Sequence, residues 1–429
     1  DINFAQRLLL DRDIGPHVNI VGNVLWAGER SPDEVKNENN TNLKYAEEKI
    51  NKVGGAGIYP VDMIISCTPD SLTRTSPFPT PFVTFSFDLE TSIKNNKILC
   101  AAAVIQRNNR RSEHTFTGDE KSIMKGLTNL IRREDPDIIT GYNIDNFDLP
   151  RMKERSEAIY GKKKMKLSEL NGWGRVPLIE NEIKRLLPER RQNRVWRIPG
   201  RIPLDAWWQA RQTLRPERES LRYVSQLLWP DDDEMHKLDI DSSKMDREWE
   251  ERPEEVLEYC VRDTIIPIDI LNKLQSIGRK EALASVSMTT VDIAATATTS
   301  WWIDSLVIRL ADRSGIAIPM TKSGPRRSDQ IAGGYVHEVE AGMRPWIAVL
   351  DFKSMYPSIM ISNNICSTTL VRKKEDNSVS DNISPTTQTR YISSTVRKGL
   401  VPQLLEHLMT SRDKHKEAFK KANEEGDEE

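Results

Sequence analysis

The chain has 429 residues and a formal net charge of −2, a length that suggests about two to four domains. Hydrophobic residues make up 38% and charged residues 29%, and no apolar run approaches the ~18 residues that a membrane span needs. The opening residues, DINFAQRLLLDRD, differ from a signal peptide because acids flank a short apolar patch. The four cysteines are widely spaced, which fits a reducing cytosol and argues against a zinc site.

The first 77 residues predict a partial domain of mixed structure. A short helix over residues 4–10 precedes the strand-like run HVNIVGNVLWA, a charged Asn-rich segment and the apolar run VDMIISC. The Pro- and Thr-rich segment Thr73–Pro81 then predicts a linker, since closely spaced prolines exclude a helix or a central strand.

The stretch TFSFDLETS, residues 84–92, alternates apolar and polar side chains with the period of a strand. This period places Asp88 and Glu90 on one face of the strand. Two acids on one face of a buried strand favour a bound cation. The alternative is a strand that simply runs out into solvent at Asp88.

Two later segments supply further acids. After a predicted helix over residues 119–133, the run DPDIITGYNIDNFDLPRM predicts a short strand, Asp137–Thr140, and then a turn into a helix. Asn143 and Asp148 therefore lie at a strand-to-helix transition, where side chains gather at a sheet edge. Ordinary turn chemistry is the alternative interpretation.

The run PEEVLEYCVRDTIIPIDILNKL predicts a helix that begins at Pro253. Tyr259 and Asp263 are four residues apart and so share one helix face. A surface pair on an amphipathic helix is the competing interpretation. Upstream, Trp207 and Trp208 are interpreted as packing residues.

Positive charge is concentrated in residues 151–201, which contain 15 Lys or Arg and six Asp or Glu. The three consecutive lysines Lys162, Lys163 and Lys164 belong to this segment. Such a stretch can follow a phosphate backbone, although a solvated surface explains the charge equally well.

Near the end of the chain, WIAVLDFKSMYPSIM predicts a buried strand, Trp346–Leu350, that delivers Asp351 to its end. A helix is predicted from Val401.

Four carboxylates occur in order along the chain: Asp88 and Glu90 of D-x-E, then Asp148, then Asp263 of Y-x-x-x-D. This set suits two divalent metals about 4 Å apart, as phosphodiester hydrolysis requires. Oxygen ligands favour magnesium or manganese.

FDLET, GYNIDNFDLP and YCVRD resemble the three exonuclease motifs of family B DNA polymerases, and DFKSMYPSI resembles their palm motif. The archaeal type is the most similar. The resemblance implies an α/β fold in which a ribonuclease H-like 3′-5′ exonuclease domain with a mixed sheet is flanked by a partial N-terminal domain and a partial polymerase palm. The implied boundaries are 1–77 for the N-terminal part, 78–274 for the exonuclease, 275–325 for a return segment packing on the N-terminal domain, and 326–429 for the palm.

The same resemblance implies roles for individual residues. Two Mg²⁺ or Mn²⁺ ions would be held by Asp88, Glu90, Asp148 and Asp263, with Tyr259 orienting the attacking water. Asn143 and Phe147 would bind the 3′ end of DNA. In the palm, Asp351 would bind a metal ion, and Asp351, Ser354 and Tyr356 would bind the nucleotide. Further DNA contacts would come from Lys162, Lys163, Lys164, Gly333 and Gly334.

The sequence departs from the family pattern at Ile331, which replaces a tyrosine before Gly333, and that change puts DNA switching between the two sites in question. Motifs of the fingers, the second palm aspartate and the thumb do not occur in the 429 residues, nor does the first half of the family's N-terminal domain. We therefore expect a fragment or one subunit of a split replicative polymerase, which proofreads by two-metal 3′-5′ hydrolysis but does not polymerise alone.

The resemblance implies primer-template and single-stranded DNA, a second polypeptide with the remaining polymerase parts, and a sliding clamp as partners. It places the protein in the cytoplasm at the nucleoid. Two other functions stay open: a free-standing single-strand 3′-5′ nuclease and a non-catalytic DNA-binding scaffold. Metal-dependent 3′-5′ degradation would exclude the scaffold, and a DNA-versus-RNA comparison would separate the two enzymes.

Overall fold

A computed structural model describes residues 4–27, 63–162, 164, 169–175, 189–190, 196–231, 240–318, 335, 337–338, 341–371 and 382–425. The chain divides into two compact units, Asp1–Trp302 and Ile303–Glu429. In the part of the chain that the structure describes, no helix combines the length and apolarity needed to cross a membrane.

Among the residues that the structure describes, the beginning of the first unit contains one helix and two small antiparallel pairs of strands. The helix α1 is Phe4–Arg12. Strand β1 (Val18–Ile20) pairs with β4 (Leu72–Arg74), and β2 (Asn23–Ala27) pairs with β3 (Met63–Ser66). These strands confirm the predicted extended character of HVNIVGNVLWA and VDMIISC.

A five-stranded mixed sheet forms the centre of the first unit, in the order β11-β8-β5-β6-β7. Its strands are β5 (Val83–Thr91), β6 (Ile98–Arg107), β7 (Arg110–Phe116), β8 (Ile138–Thr140) and β11 (Ile202–Pro203). The strands β5, β6 and β7 are antiparallel, whereas β8 is parallel to β5 and β11 is parallel to β8. The predicted α/β class with a mixed sheet is confirmed. A separate short pair joins β9 (Glu189–Arg190) to β10 (Trp196–Arg197).

Strand β5 is the central strand of the sheet, paired with β8 on one edge and β6 on the other, and both of its faces are largely buried. Phe85 and Phe87 are fully buried, and the Trp173 ring meets the Phe87 ring edge-on, 5.2 Å between centroids. The neighbouring strand β6 reads ILCAAAVIQR, a nearly continuous apolar run typical of a strand buried on both faces. A rigid, fully packed strand therefore carries the first two predicted acids.

Within the described residues, five α-helices follow in the chain between strand β7 and a long helix that begins at Pro253. They are α2 (Glu120–Glu134), α3 (Asp148–Tyr160), α4 (Ala206–Leu214), α5 (Leu221–Leu228) and α6 (Met245–Glu251). Helix α2 begins where predicted, because the Asp119 side chain accepts a hydrogen bond from the Ser122 amide, 2.7 Å.

The long helix α7 is Pro253–Lys273, which confirms the predicted start at a proline in the first turn. It packs against β5 and β6. The helices that follow are α8 (Ser276–Ser287), α9 (Val291–Thr296) and α10 (Thr299–Arg313). Because α7 covers the face of β5 that carries the acids, it brings its own polar residues to them.

The second unit contains α11 (Met355–Ser362), the strand pair β12 (Asn382–Ile383) and β13 (Arg390–Tyr391), and α12 (Leu400–Glu425). Its small core joins Ala311, Cys366 and Leu400. The predicted helix from Val401 is confirmed within α12.

The predicted buried strand Trp346–Leu350 is wrong. These residues form no strand, and Trp346 is fully exposed. A strand needs a hydrogen-bonded neighbour, and none of the described residues pairs with this segment. Apolar composition alone therefore did not produce burial.

Candidate active site

Asp88 and Glu90 project from the same face of β5, as their spacing predicts. Opposite them on β6 lie Ala102 and Cys100, respectively. Glu90 is buried and Asp88 is half-buried. The alternative in which the strand runs into solvent at Asp88 does not hold, since β5 continues to Thr91.

Helix α7 contributes three neighbouring side chains to this face of the sheet. Cys260 is fully buried and lies 3.5 Å from the Asp88 carboxylate, Sγ to Oδ2. Tyr259 and Asp263 are also buried. Asp263 is one helical turn beyond Cys260, so it lies on the helix face that meets Asp88. The surface interpretation of the Tyr259 and Asp263 pair is therefore wrong.

Asp148 is the first residue of α3 and is only 1% exposed. Its Oδ1 accepts a hydrogen bond from the Leu89 amide, 3.1 Å, and Leu89 stands between the two acids of β5. Burial raises the pKa of Asp148 well above its usual range, and the negative charges of Asp88 and Asp205 raise it further. The three segments that carry D-x-E, the helix-start aspartate and Y-x-x-x-D therefore meet at one place.

Asp205 was not singled out from the sequence, although it lies beside these acids. It caps α4 through the Trp207 amide, and it also accepts hydrogen bonds from the Asn143 and Asp145 amides, 2.8 and 3.1 Å. Burial raises its pKa to about 6. The only sequence signal was an aspartate directly before an apolar helix, and that signal says nothing about proximity to Asp148.

Asn143 and Phe147 lie in the turn between β8 and α3. Asn143 has a left-handed backbone with φ of 65°, a conformation that asparagine tolerates better than most residues. Its Oδ1 accepts a hydrogen bond from the Asn146 side chain, 2.8 Å. Phe147 is 40% exposed, and the Arg151 guanidinium lies 5.6 Å from its ring centroid. An exposed ring next to the buried Asp148 offers a flat surface at the edge of the acid cluster.

The acid cluster fits a divalent cation on the geometry of its donor atoms. Single donor atoms of Asp88, Glu90 and Cys260 lie within 4.8 Å of one another, the only such group among the residues the structure describes. Crowding of like charges around Asp148 is costly without a positive partner. Carboxylate oxygens are the ligands that hard divalent cations prefer.

The other predicted site residues that the structure describes are not part of this group of donor atoms. Asp351 and Tyr356 are exposed, and Ser354 precedes α11 with a left-handed backbone. Lys162 and Lys164 are exposed just after α3. Lys163, Ile331, Gly333 and Gly334 fall outside the described residues.

Comparisons with known proteins agree with the motifs. The family model for the exonuclease domain of DNA polymerase family B matches residues 115–224, and the model for DNA polymerase family B matches residues 290–429. These matches define the class as an exonuclease domain followed by part of a polymerase domain. The chain belongs to the family B DNA polymerases.

The segments that match individual relatives make up most of this chain but only a small part of each relative. The DNA polymerase delta catalytic subunit of Drosophila melanogaster is 29% identical over 318 residues, 70% of this chain and 28% of that subunit. Its counterpart in Glycine max is 30% identical over 319 residues, 71% of this chain and 28% of that subunit. The chain thus spans little more than a quarter of these relatives.

A solved structure shows the same fold. The family B DNA polymerase from the hyperthermophilic archaeon Pyrobaculum calidifontis matches 98% of this chain and 50% of that polymerase, with a TM-score of 0.62 and 20% sequence identity.

Proposed function

We propose that this chain is the proofreading part of a replicative DNA polymerase and removes 3′-terminal nucleotides from DNA by hydrolysis. The observation that carries the proposal is the hydrogen bond from the Leu89 amide to Asp148, because it brings a distant acid to the segment of β5 that carries Asp88 and Glu90. Burial of the group excludes bulk water, which strengthens electrostatic contacts to a phosphodiester.

The metal ligands in this proposal are Asp88, Glu90, Asp148 and Asp263, and the preferred ions are Mg²⁺ or Mn²⁺. Two such ions, when bound, supply an activated water and neutralise charge on the leaving oxygen. Burial and the neighbouring acids raise the pKa of Asp148, and a bound cation would favour its ionised form. The acids then serve as ligands rather than as a general acid.

Tyr259 orients the attacking water through its hydroxyl in this proposal. Its ring is held by packing in a buried group with Cys100, Met245 and Val256. A fixed ring aims the hydroxyl without a large entropic cost. Asn143 and Phe147 bind the 3′-terminal nucleotide, the ring by stacking against a base.

Lys162, Lys163 and Lys164 form the proposed contact with single-stranded DNA. Lys162 and Lys164 are solvent-exposed, which makes their ammonium groups accessible to phosphates. Such contacts contribute affinity without sequence preference. Gly333 and Gly334 are proposed to contact DNA by family resemblance alone.

The polymerase role is proposed for an assembly larger than this chain. Asp351 would hold a palm metal, while Ser354 and Tyr356 would contact an incoming nucleotide. The exposed apolar run Trp346–Leu350 suits a segment that completes a sheet with a further polypeptide carrying the fingers, the second palm aspartate and the thumb. A sliding clamp is a further proposed partner.

The proposed domains keep the boundaries 1–77, 78–274, 275–325 and 326–429. Packing of the return segment on the N-terminal part is supported by the approach of His17 to Glu281 on α8, 3.9 Å from Nε2 to Oε1. Gly15 also lies next to Ser285 on the same helix.

The experiment is degradation of single-stranded DNA labelled at its 5′ end, with Mg²⁺ present. The wild-type chain should shorten it from the 3′ end, whereas the double substitution Asp88→Ala and Glu90→Ala should slow this about a thousandfold, roughly 4 kcal/mol of barrier. A matched double control, Glu113→Ala with Glu258→Ala, removes two exposed acids from the same sheet and helix. Degradation by the first double variant at the control rate would refute the proposal.

A further inference from the structure

The acid cluster contains a donor atom that hard-metal chemistry does not use, the thiol of Cys260. This residue lies on α7 between Tyr259 and Asp263, and its side chain is fully buried against β5. The thiol approaches both the Asp88 carbonyl oxygen, 3.6 Å, and the Asp88 carboxylate, 3.5 Å. A sulfur atom therefore forms part of the wall around the two acids of β5.

A second cysteine lies behind the first. Cys100 is the cross-strand partner of Glu90, so both side chains project from the same face of the sheet. Cys100 is fully buried and lies beside Cys260. All four cysteines are free. The surroundings of Asp88 and Glu90 are thus richer in sulfur than the wide spacing of the cysteines in the sequence indicates.

The donor geometry matches a soft tetrahedral cation. With a metal-sulfur distance of about 2.3 Å and a metal-oxygen distance of about 2.1 Å, tetrahedral coordination separates the two donors by about 3.6 Å. In the structure, Cys260 Sγ and Asp88 Oδ2 are 3.5 Å apart. A donor of Glu90 lies within 4.8 Å of both. Small side-chain adjustments would complete three protein ligands and leave one position for water.

We propose that Cys260, together with Asp88 and Glu90, makes the nuclease site a binding site for a thiophilic divalent cation such as Zn²⁺ or Cd²⁺. Coordination forms a sulfur-metal bond, and the thiol proton leaves to solvent. Mg²⁺ does not use this donor because it demands oxygen ligands in octahedral geometry. The thiophilic cation therefore competes with Mg²⁺ for the two carboxylates and inhibits hydrolysis. The inference rests on the proposed function only for this last consequence.

The test is titration of the full chain with Cd²⁺, monitored by the ultraviolet charge-transfer absorption of a cadmium-thiolate bond. The wild-type chain should develop this absorption and bind one Cd²⁺ tightly. Cys260→Ser should lose the absorption and should bind Cd²⁺ more than about tenfold more weakly. Removal of a residue that only supports a metal ligand already lowers metal affinity by about tenfold or more. Asp88→Asn should also weaken Cd²⁺ binding, which separates a mixed site from a lone thiol.

Matched thiol controls assign the absorption to one residue. Cys366→Ser changes a buried cysteine of the second unit, Cys67→Ser changes the exposed one, and Cys100→Ser changes the neighbour of Cys260. All three should keep the absorption. An undiminished signal in Cys260→Ser, or its loss in Cys100→Ser alone, would overturn the assignment. Hydrolysis with Mg²⁺ alone tests the proposed function separately, because it requires no thiol.

Discussion

Asp88, Asp148 and Asp205 repel one another electrostatically when they are ionised. Burial raises the pKa of Asp148, and the negative charges of Asp88 and Asp205 raise it further. Like charges held together in a dry site are tolerated when a cation joins them, and they resist full ionisation when none is present. Cation binding and ionisation of these acids are therefore coupled at this site.

Substitutions of Tyr259 and of Asp263 should slow hydrolysis by different amounts. Tyr259→Phe keeps the buried ring and removes one orienting hydroxyl, so it should slow hydrolysis by about 1 to 3 kcal/mol. Asp263→Asn removes the charge of a proposed metal ligand and should slow hydrolysis more than the phenylalanine substitution does. Single-turnover rates in saturating Mg²⁺ compare the two. Equal loss in both variants would show that Tyr259 does more than position water.

The contribution of Asp205 to the stability of the metal-free protein should fall as pH rises from about 4 to about 6. Asp205 has an ordinary pKa of 3.8, raised to about 6 by burial in the fold. Within this window the folded chain holds a proton that the unfolded chain has released, so the free energy of unfolding decreases with rising pH. The pKa shift of Asp205 corresponds to about 3 kcal/mol of stability. The raised pKa of Asp148 changes the stability in the same direction.

Denaturant unfolding at several pH values, with a chelator present, measures this slope. Asp205→Asn should flatten it, since the amide has no proton to lose. The substitution also weakens a helix cap, so the comparison is between slopes and not between absolute stabilities. Asp304→Asn, at an exposed aspartate, should retain the wild-type slope. An unaltered slope in Asp205→Asn would rule out this residue as the source.

At the scale of elements, a buried charge network holds the edge of the sheet together. Arg201 donates to the Trp173 carbonyl, 2.6 Å, and to Asp135, 2.8 Å. Arg175 donates to Asp135 and to Asp137, 2.9 Å each. The network ties the loop before β8 to the segment that leads into β11. It thereby fixes the two parallel strands whose ends carry Asn143 and Asp205.

Arg201→Ala should destabilise the first unit by about 3 to 5 kcal/mol, because it leaves the carboxylate of Asp135 buried with less compensation. Thermal or denaturant unfolding measures the loss. Arg247→Ala breaks an exposed pair with Glu251 and should leave the unfolding midpoint unchanged. A midpoint for Arg201→Ala equal to that of the control would show that the network adds nothing to stability.

At the scale of the whole molecule, we expect the 429-residue chain to degrade DNA without extending a primer. Nucleotidyl transfer needs two palm carboxylates for its metal pair, and the resemblance supplies only Asp351. Primer-extension and degradation assays on the same preparation test this expectation. Template-directed extension by the purified chain alone would contradict it.

Synthesis should return when a polypeptide with the fingers, the second palm aspartate and the thumb is added. Asp351→Ala should then block synthesis and spare degradation. This pairing separates the two activities, because Asp351 belongs to the second unit and the exonuclease acids belong to the first.

Local pattern was enough to predict the elements that carry the site. The period of two in β5 predicted that Asp88 and Glu90 share a face, and the four-residue spacing on α7 did the same for Tyr259 and Asp263. Each inference needed only the geometry of a single strand or helix. The mixed sheet and the exonuclease class came from the family resemblance and not from periodicity.

Convergence of distant segments was decided by tertiary structure alone. Asp205 reaches the Asn143 turn because β8 and β11 are parallel neighbours, and Cys100 and Cys260 meet because α7 packs on β6. Burial is likewise a property of neighbours: Trp346–Leu350 is as apolar as a core strand, yet it remains exposed where no described strand pairs with it. A chain's own pattern determines which face is apolar, but only another element in contact can remove that face from water.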